Sequence, residues 1–186
     1  MKEIFTKDDE NLCWKTTDSK TILNTVVFDV TKNHNVSHNG IEGDYIVLKA
    51  NDWVIVVPEV DDKLVMVKQW RHGEQKLSIE FPGGVIDKNE EPEKAALREL
   101  EEETGCKAQK LVKLGKINPN PALFSNHLHI FLAKDIVKTG IQHLDKDEFI
   151  NTVELELSEV LDLLGTEHFS HGLMGTALAF YMKSKQ

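Results

Sequence analysis

The chain has 186 residues, 40% of them hydrophobic, and a formal net charge of −9 at pH 7. This length and apolar content suffice for one main hydrophobic core. The negative charge argues against a nucleic-acid partner, because nucleic-acid binders usually present a basic surface, but it permits a phosphate ester that is bound through metal ions. The apolar runs are far shorter than the ~20 residues of a membrane span, and no signal-peptide pattern is present.

The only two cysteines, Cys13 and Cys106, lack the CxxC spacing of a thiolate zinc site and do not suggest a disulfide framework. Such cysteine usage fits a reducing compartment. We therefore expect a cytoplasmic protein without a membrane partner.

Clusters of apolar and β-branched residues predict the strands of the first half of the chain. The first two are expected at residues 21–30 and 44–49, and Asn39-Gly40 is a turn signal between them. Three more are predicted at residues 53–57, 63–70 and 77–81. The last of these ends at Pro82-Gly83-Gly84, after which helix formers run from Pro92 until Gly105.

The second half of the chain is predicted to contain three strands and two helices. Strands are expected at residues 109–117, 128–133 and 152–157. Ser158 is a candidate N-cap for a helix over residues 159–164. The apolar residues of the last predicted helix are spaced for packing on a sheet: Leu173, Ala177, Leu178 and Tyr181.

The helix that follows Pro92 carries an unusual cluster of acidic residues. At 100° per residue, Glu99, Glu102 and Glu103 fall within about a third of its circumference. Each like-charge pair at this spacing costs roughly 0.2–0.5 kcal/mol, so the cluster is unfavourable unless a cation shares it. Carboxylate oxygens suit the hard cations Mg²⁺ and Mn²⁺. A run of Glu alone is more often a solvated helix face, so the metal interpretation depends on the wider pattern.

The wider pattern resembles the Nudix box at each of its fixed positions. The residues that carry the resemblance are Gly84, Glu90, Arg98, Glu99, Leu100, Glu102, Glu103 and Gly105. The one departure is Cys106, which stands where an aliphatic residue is usual and which can act as a small buried hydrophobe. The segments at residues 69–73, 79–84, 118–121 and 147–150 resemble the ADP-ribose and nucleotide-sugar pyrophosphatase branch of this family.

The resemblance implies roles for most of these residues. It makes Glu99, Glu102 and Glu103 metal ligands together with the backbone carbonyl of Gly83, and it also places Glu102 among the catalytic residues. Glu148 matches a loop carboxylate that serves relatives as the base or as a further ligand, although Lys146 stands where some relatives have a second acid.

Outside the metal site, the resemblance implies two kinds of residue. Arg71 and Glu80 match positions that bind substrate, although a structural salt bridge is nearly as good an interpretation of Arg71. Structural roles are expected for Gly84, Glu90, Arg98 and Gly105, with Glu90 and Arg98 pairing to fix the loop to the helix. Trp70 is interpreted as a core residue.

The fold implied is α/β, a mixed curved sheet sandwiched between helices. Residues 1–45 are expected to be an N-terminal β extension that forms a homodimer, and residues 46–186 the hydrolase domain. The implied activity is Mg²⁺- or Mn²⁺-dependent hydrolysis of the diphosphate in ADP-ribose or a nucleotide-sugar, which gives a nucleoside monophosphate and a sugar phosphate.

Several alternatives remain open at this point. One is another Nudix activity, on dinucleoside polyphosphates, coenzyme A or dinucleotide cofactors. Another is a non-catalytic module that senses a nucleotide, although the intact acidic helix argues against it; an isomerase is a weaker possibility. His127 and His129 have zinc-compatible spacing on a predicted strand, but no third ligand presents itself and ordinary sheet residues are the better interpretation.

Overall fold

The computed structural model describes residues 4–186 of the chain. They belong to two compact units. The first contains the described part of Met1–Ala50 together with Asn120–Asn126, and the second contains Asn51–Pro119 and His127–Gln186.

The first unit is built on an antiparallel three-stranded sheet. A 3-10 helix at Lys7–Leu12 is followed by β1 (Trp14–Asn24), β2 (Asp29–Ser37) and β3 (Glu42–Lys49), which pair in chain order. The turn predicted at Asn39-Gly40 is confirmed, since it separates β2 from β3 and Gly40 has a φ of 80°.

The single strand predicted at residues 21–30 is wrong, because this segment contains the end of β1, a reversal and the start of β2. Thr25 makes the reversal without glycine or proline. Its Oγ1 accepts the Phe28 N–H at 3.0 Å, and its N–H donates to the Phe28 carbonyl at 3.1 Å. A threonine hydroxyl thus stabilises a turn that the β-branched composition conceals.

The second unit contains a mixed six-stranded sheet. Its strands are β4 (Trp53–Val60), β5 (Lys63–Arg71), β6 (Lys76–Glu80), β7 (Cys106–Ile117), β8 (Leu128–Lys138) and β9 (Asn151–Glu156). The order is β6-β5-β4-β8-β7, with β9 also paired to β5. Only the β4–β8 pair is parallel among the described strands. Every strand predicted for this part of the chain is confirmed, although β7 starts three residues earlier than expected.

Helices cover both faces of this sheet. They are α1 (Pro92–Thr104), α2 (Leu157–Leu163) and α3 (Gly172–Ser184). Side chains alternate along β4, so Val54 and Val56 join one core with α1, while Ile55 and Val57 join the other core with α3. This arrangement confirms the predicted α/β fold with the box helix on one side and the C-terminal helices on the other.

The ends of the helices follow local sequence signals with one exception. Pro92 begins α1, and Gly105 ends it in the left-handed conformation at φ 65°, where a Cβ would lie 2.8 Å from the Ile141 nitrogen. Ser158 is not the N-cap of α2, so that prediction is wrong: the helix begins two residues earlier than predicted, and Glu156 is the cap, with its N–H donated to Glu159 Oε2 at 2.8 Å. Among the described residues, every helix is too short or too polar to cross a lipid bilayer.

Candidate active site

A glycine turn after β6 lies directly beside β4. The Val56 N–H donates to the Pro82 carbonyl and the Val54 N–H donates to the Gly84 carbonyl, each at 2.9 Å. A Cβ on Gly84 would lie 2.5 Å from Oε1 of Glu99, so the helix carboxylate packs against a bare Cα. The absence of a side chain at Gly84 is therefore what lets α1 bring its acidic face to the turn.

Arg98 connects the loop before α1 to the acidic face of the helix. Its Nε and Nη2 donate to the two oxygens of Glu90 at 3.0 and 2.9 Å, which is the pairing expected from the sequence. Its Nη1 also donates to Glu99 Oε1 at 2.8 Å and to Glu102 Oε2 at 3.0 Å. One guanidinium thus holds two box carboxylates close together and partly offsets their repulsion.

Two carboxylates of the box, one buried and one partly buried, are costly to keep ionised. Glu103 is 4% exposed, and its Oε2 accepts the Gly83 N–H at 2.8 Å. Burial, with a smaller contribution from the charges of Glu99 and Glu148, raises the pKa of Glu103 to about 8. Burial likewise raises the pKa of Glu99 to about 7, although Arg98 opposes the shift. A cation bound here would relieve the cost of keeping both groups ionised.

The donor set fits a hard divalent cation. Glu99, Glu102 and Glu103 offer carboxylate oxygens, which Mg²⁺ and Mn²⁺ prefer. Within residues 4–186, no group of three or more His, Cys, Asp and Glu side chains is arranged closely enough to hold a metal ion. A closed site is not required, because Mg²⁺ usually keeps several waters and binds through a few carboxylates and the substrate phosphates. The Gly83 carbonyl stays a predicted ligand.

The structure brings Glu148 near the box, as the sequence predicted, from a loop forty-five residues further along the chain. Its carboxylate accepts the Asp145 N–H at 3.1 Å, and its charge raises the pKa of both Glu99 and Glu103. Its role as a base or ligand stays a prediction.

Arg71 and Glu80 form a two-pronged ion pair between neighbouring strands. Arg71 Nε lies 2.7 Å from Glu80 Oε1, and Arg71 Nη2 lies 2.5 Å from Glu80 Oε2. The side chain of Glu80 has 0% exposure, whereas that of Arg71 has 40%. Burial would raise the pKa of Glu80, but the bonds from Arg71 outweigh it and lower that pKa. This geometry favours a role of Glu80 in orienting the Arg71 side chain. Direct contact between Glu80 and substrate stays a prediction.

Two cavities meet at Arg71 and His171. The first, called the apolar cavity, measures about 340 Å³ and reaches the glycine turn; its walls include Trp53, Ile55, Leu128, Leu173 and Met174. The second, called the distal cavity, measures about 400 Å³; its walls are mostly apolar in area but include the polar residues Lys76, Ser78, Glu167 and Ser170. Trp53 and His171 are lining residues that the sequence analysis does not predict, because only the folded sheet brings them to Arg71.

Trp70 and His129 both lie on strands of the second unit but differ in burial. The interpretation of Trp70 as core is wrong, since it is 48% exposed on β5. His129 is a buried sheet residue whose Nε2 lies 2.9 Å from Asp52 Oδ2, and the His127 N–H donates to Asp52 Oδ1 at 2.7 Å. Both histidines therefore belong to a structural cluster around Asp52, which agrees with their interpretation as ordinary sheet residues.

The chain is similar in sequence to several characterised proteins. The chain is 38% identical over 128 residues to the ADP-ribose pyrophosphatase of Bacillus subtilis (68% of this chain, 69% of the relative). It is 37% identical over 105 residues to the methanol dehydrogenase activator of Bacillus methanolicus (56% and 57%). It is 33% identical over 125 residues to the ADP compounds hydrolase NudE of Escherichia coli (67% of each).

A solved structure and a family model agree with these relatives. The crystal structure of an ADP compounds hydrolase superposes with a TM-score of 0.82 at 28% identity and covers 92% of this chain and 93% of that one. The NUDIX domain model matches residues 49–173, which include the glycine turn, the whole of α1 and Glu148. The chain belongs to the Nudix family.

Proposed function

We propose that this chain hydrolyses the diphosphate linkage of ADP-ribose or a closely related nucleotide-sugar. The products are a nucleoside monophosphate and a sugar phosphate. The observation that carries the proposal is the pair of carboxylates of Glu99, partly buried, and Glu103, buried, held at the Gly83-Gly84 turn with their pKa values raised to about 7 and 8. Relatives named for ADP-ribose and ADP compounds support the substrate class.

Nudix enzymes generally need a divalent cation, and we infer that Mg²⁺ or Mn²⁺ serves here. Glu99, Glu102 and Glu103 would hold it, with the Gly83 carbonyl. When bound, a cation in such a site neutralises the diphosphate and lowers the pKa of a bound water.

The chain's own side chains supply the remaining steps. Glu148 accepts the proton of the attacking water, so that the oxygen attacks phosphorus and the bridging oxygen leaves with the other half of the substrate. Arg71 donates to a phosphate oxygen from its exposed edge, and Glu80 fixes its orientation from the buried side. Arg98 keeps Glu99 and Glu102 together during the reaction.

Product analysis tests this function directly. The purified chain is incubated with Mg²⁺ or Mn²⁺ and a panel of ADP-ribose, other nucleotide-sugars, dinucleotides and nucleoside triphosphates, and the products are separated by chromatography. We expect a nucleoside monophosphate and a sugar phosphate from a sugar-linked diphosphate, and little turnover of triphosphates. Folded protein that binds nucleotides without cleaving any would instead identify a sensor module.

We also propose that residues 1–45 form the β extension of a homodimer. Support comes from the reversal between β1 and β2, where apolar side chains are exposed: Val26 is 104% exposed and Val27 is 64% exposed. Light scattering on the full chain is expected to give twice the 21.1 kDa chain mass, reduced to one chain mass by Val26→Asp with Val27→Asp. A wild-type mass of one chain would contradict the dimer.

A further inference from the structure

The distal cavity combines several polar side chains with a wall surface that is mostly apolar. Lys76 and Ser170 line it beside the carboxylate of Glu167, which pairs with Lys76 at 3.6 Å. Ser78, which also lines the cavity, is 6% exposed, and its hydroxyl interacts with the Glu80 carboxylate. A sugar has hydroxyl groups that donate and accept hydrogen bonds and an apolar C–H face, so this combination suits a sugar.

His171 lies where the distal and apolar cavities meet, next to Arg71. It is the N-cap of α3, and its Nδ1 accepts the Leu173 N–H at 3.2 Å. A nitrogen that accepts this bond carries no proton, so the proton of the neutral ring is on Nε2. The cap therefore fixes both the tautomer and the orientation of the imidazole.

The surroundings of His171 keep the ring neutral. Burial lowers its pKa below the ordinary value of 6.5, Arg71 lowers it further, and Glu80 opposes the shift. Near pH 7 His171 is thus a hydrogen-bond donor without charge, beside an arginine that carries the positive charge. The two side chains can therefore bind different groups: the charged Arg71 suits phosphate, and the neutral His171 suits a hydroxyl oxygen.

We propose that the distal cavity binds the sugar-phosphate half of the substrate and that His171 selects this half by donating its Nε2–H to a sugar oxygen. This inference deepens the proposed function and rests on it for the choice of ligand. His171 is accordingly a specificity residue, which contacts the part of the substrate beyond the reacting phosphorus atoms.

The test compares binding of the two product halves. His171→Asn keeps the cap, because Asn is a good N-cap and its side-chain oxygen can accept the Leu173 N–H, but it removes the Nε2 donor. His38→Asn is the control, since His38 is exposed in the turn between β2 and β3 and does not line the cavity. Dissociation constants for ribose 5-phosphate and for AMP are measured by isothermal titration, and melting temperatures are recorded.

We expect His171→Asn to weaken ribose 5-phosphate binding roughly five- to tenfold, the effect of one lost hydrogen bond, and to leave AMP binding unchanged. The control changes neither. Lys76→Ala, an exposed substitution in the same cavity, is expected to produce the same selective loss and replaces His171→Asn if that variant melts early. Unchanged ribose 5-phosphate binding, or equal losses for both products, would overturn the proposal.

These measurements require no turnover. A selective loss in a chain that hydrolyses nothing would reject the proposed function and keep the cavity assignment. Normal hydrolysis without a selective loss of ribose 5-phosphate binding would keep the proposed function and reject the cavity assignment.

Discussion

Arg71 reaches along β5 to both carboxylate oxygens of Glu80, and its Nη2–Oε2 distance is 2.5 Å. Removal of the arginine leaves a fully buried carboxylate without its partner. We therefore expect Arg71→Ala to lower the free energy of unfolding by about 2–3 kcal/mol, less than for a fully buried pair because Arg71 is partly exposed. Urea denaturation at pH 7 measures the change.

The double variant Arg71→Ala with Glu80→Gln is the control for this ion pair. Since it removes the unpaired charge, it is expected to recover more than half of the lost stability. A double variant that is less stable than Arg71→Ala would show that the cost comes from packing and not from the buried carboxylate.

Cation binding at the box is expected to appear as thermal stabilisation. Mg²⁺ at about tenfold over its dissociation constant contributes about 1.4 kcal/mol, or roughly 3–5 °C in a domain of this size. Glu103→Gln should lose most of this shift. Glu101→Gln should keep it, because Glu101 pairs with Lys107 on the outer side of α1 at 2.9 Å. Equal Mg²⁺ shifts in both variants would place the cation elsewhere.

Glu59 ties the C-terminal helix to β4 in a pH-dependent way. Burial would raise its pKa, but hydrogen bonds from Lys185 and Tyr181 outweigh burial and lower the pKa below the model-compound value of 4.5. A depressed carboxylate pKa means that the stabilisation is complete above pH ~4.5 and is lost as the pH falls through the folded-state pKa.

Glu59→Gln is accordingly expected to lower the free energy of unfolding by about 1 kcal/mol at pH 7, with the difference from wild type shrinking as the pH falls below about 4.5. Thermal unfolding from pH 7 to pH 3 follows this difference. A difference that stays constant over the range would mean that the Glu59 charge does not contribute.

The assignment of Glu148 as the base predicts a fall in kcat. Glu148→Gln is expected to lower kcat roughly 10²- to 10⁴-fold with little change in KM, because Gln cannot accept the proton of water. Asp147→Asn is the neighbouring control and should retain activity. A larger loss in Asp147→Asn than in Glu148→Gln would transfer the role to Asp147.

The features that the sequence predicted well are those determined locally. Helix α1 begins at a proline and ends at a left-handed glycine. Its acidic face follows from helix geometry alone, since successive residues are rotated by 100°. The box pairing of Glu90 with Arg98 follows from the same short segment. The strands of the second unit were predictable because their apolar runs are long and strongly patterned.

The features that could not be predicted from the sequence depend on tertiary contacts or on a turn whose residues have strand composition. The reversal at Thr25 uses a side-chain hydroxyl in a segment that otherwise has strand composition. His171 becomes a site residue only because α3 packs on the sheet and brings its N-terminus to Arg71, a hundred residues earlier in the chain. Trp70 ends a strand in the manner of a core residue, yet its side chain faces solvent.

The rate of ADP-ribose cleavage by Glu102→Gln, measured with Mg²⁺ beside wild type and Glu101→Gln, tests the central claim most directly. Both substitutions remove one negative charge from the same helix, but only Glu102 shares the Arg98 guanidinium with Glu99. We predict a fall in kcat of roughly a hundredfold or more for Glu102→Gln and wild-type rates for Glu101→Gln. Equal rates in the two variants would contradict a catalytic role for the acidic face of α1.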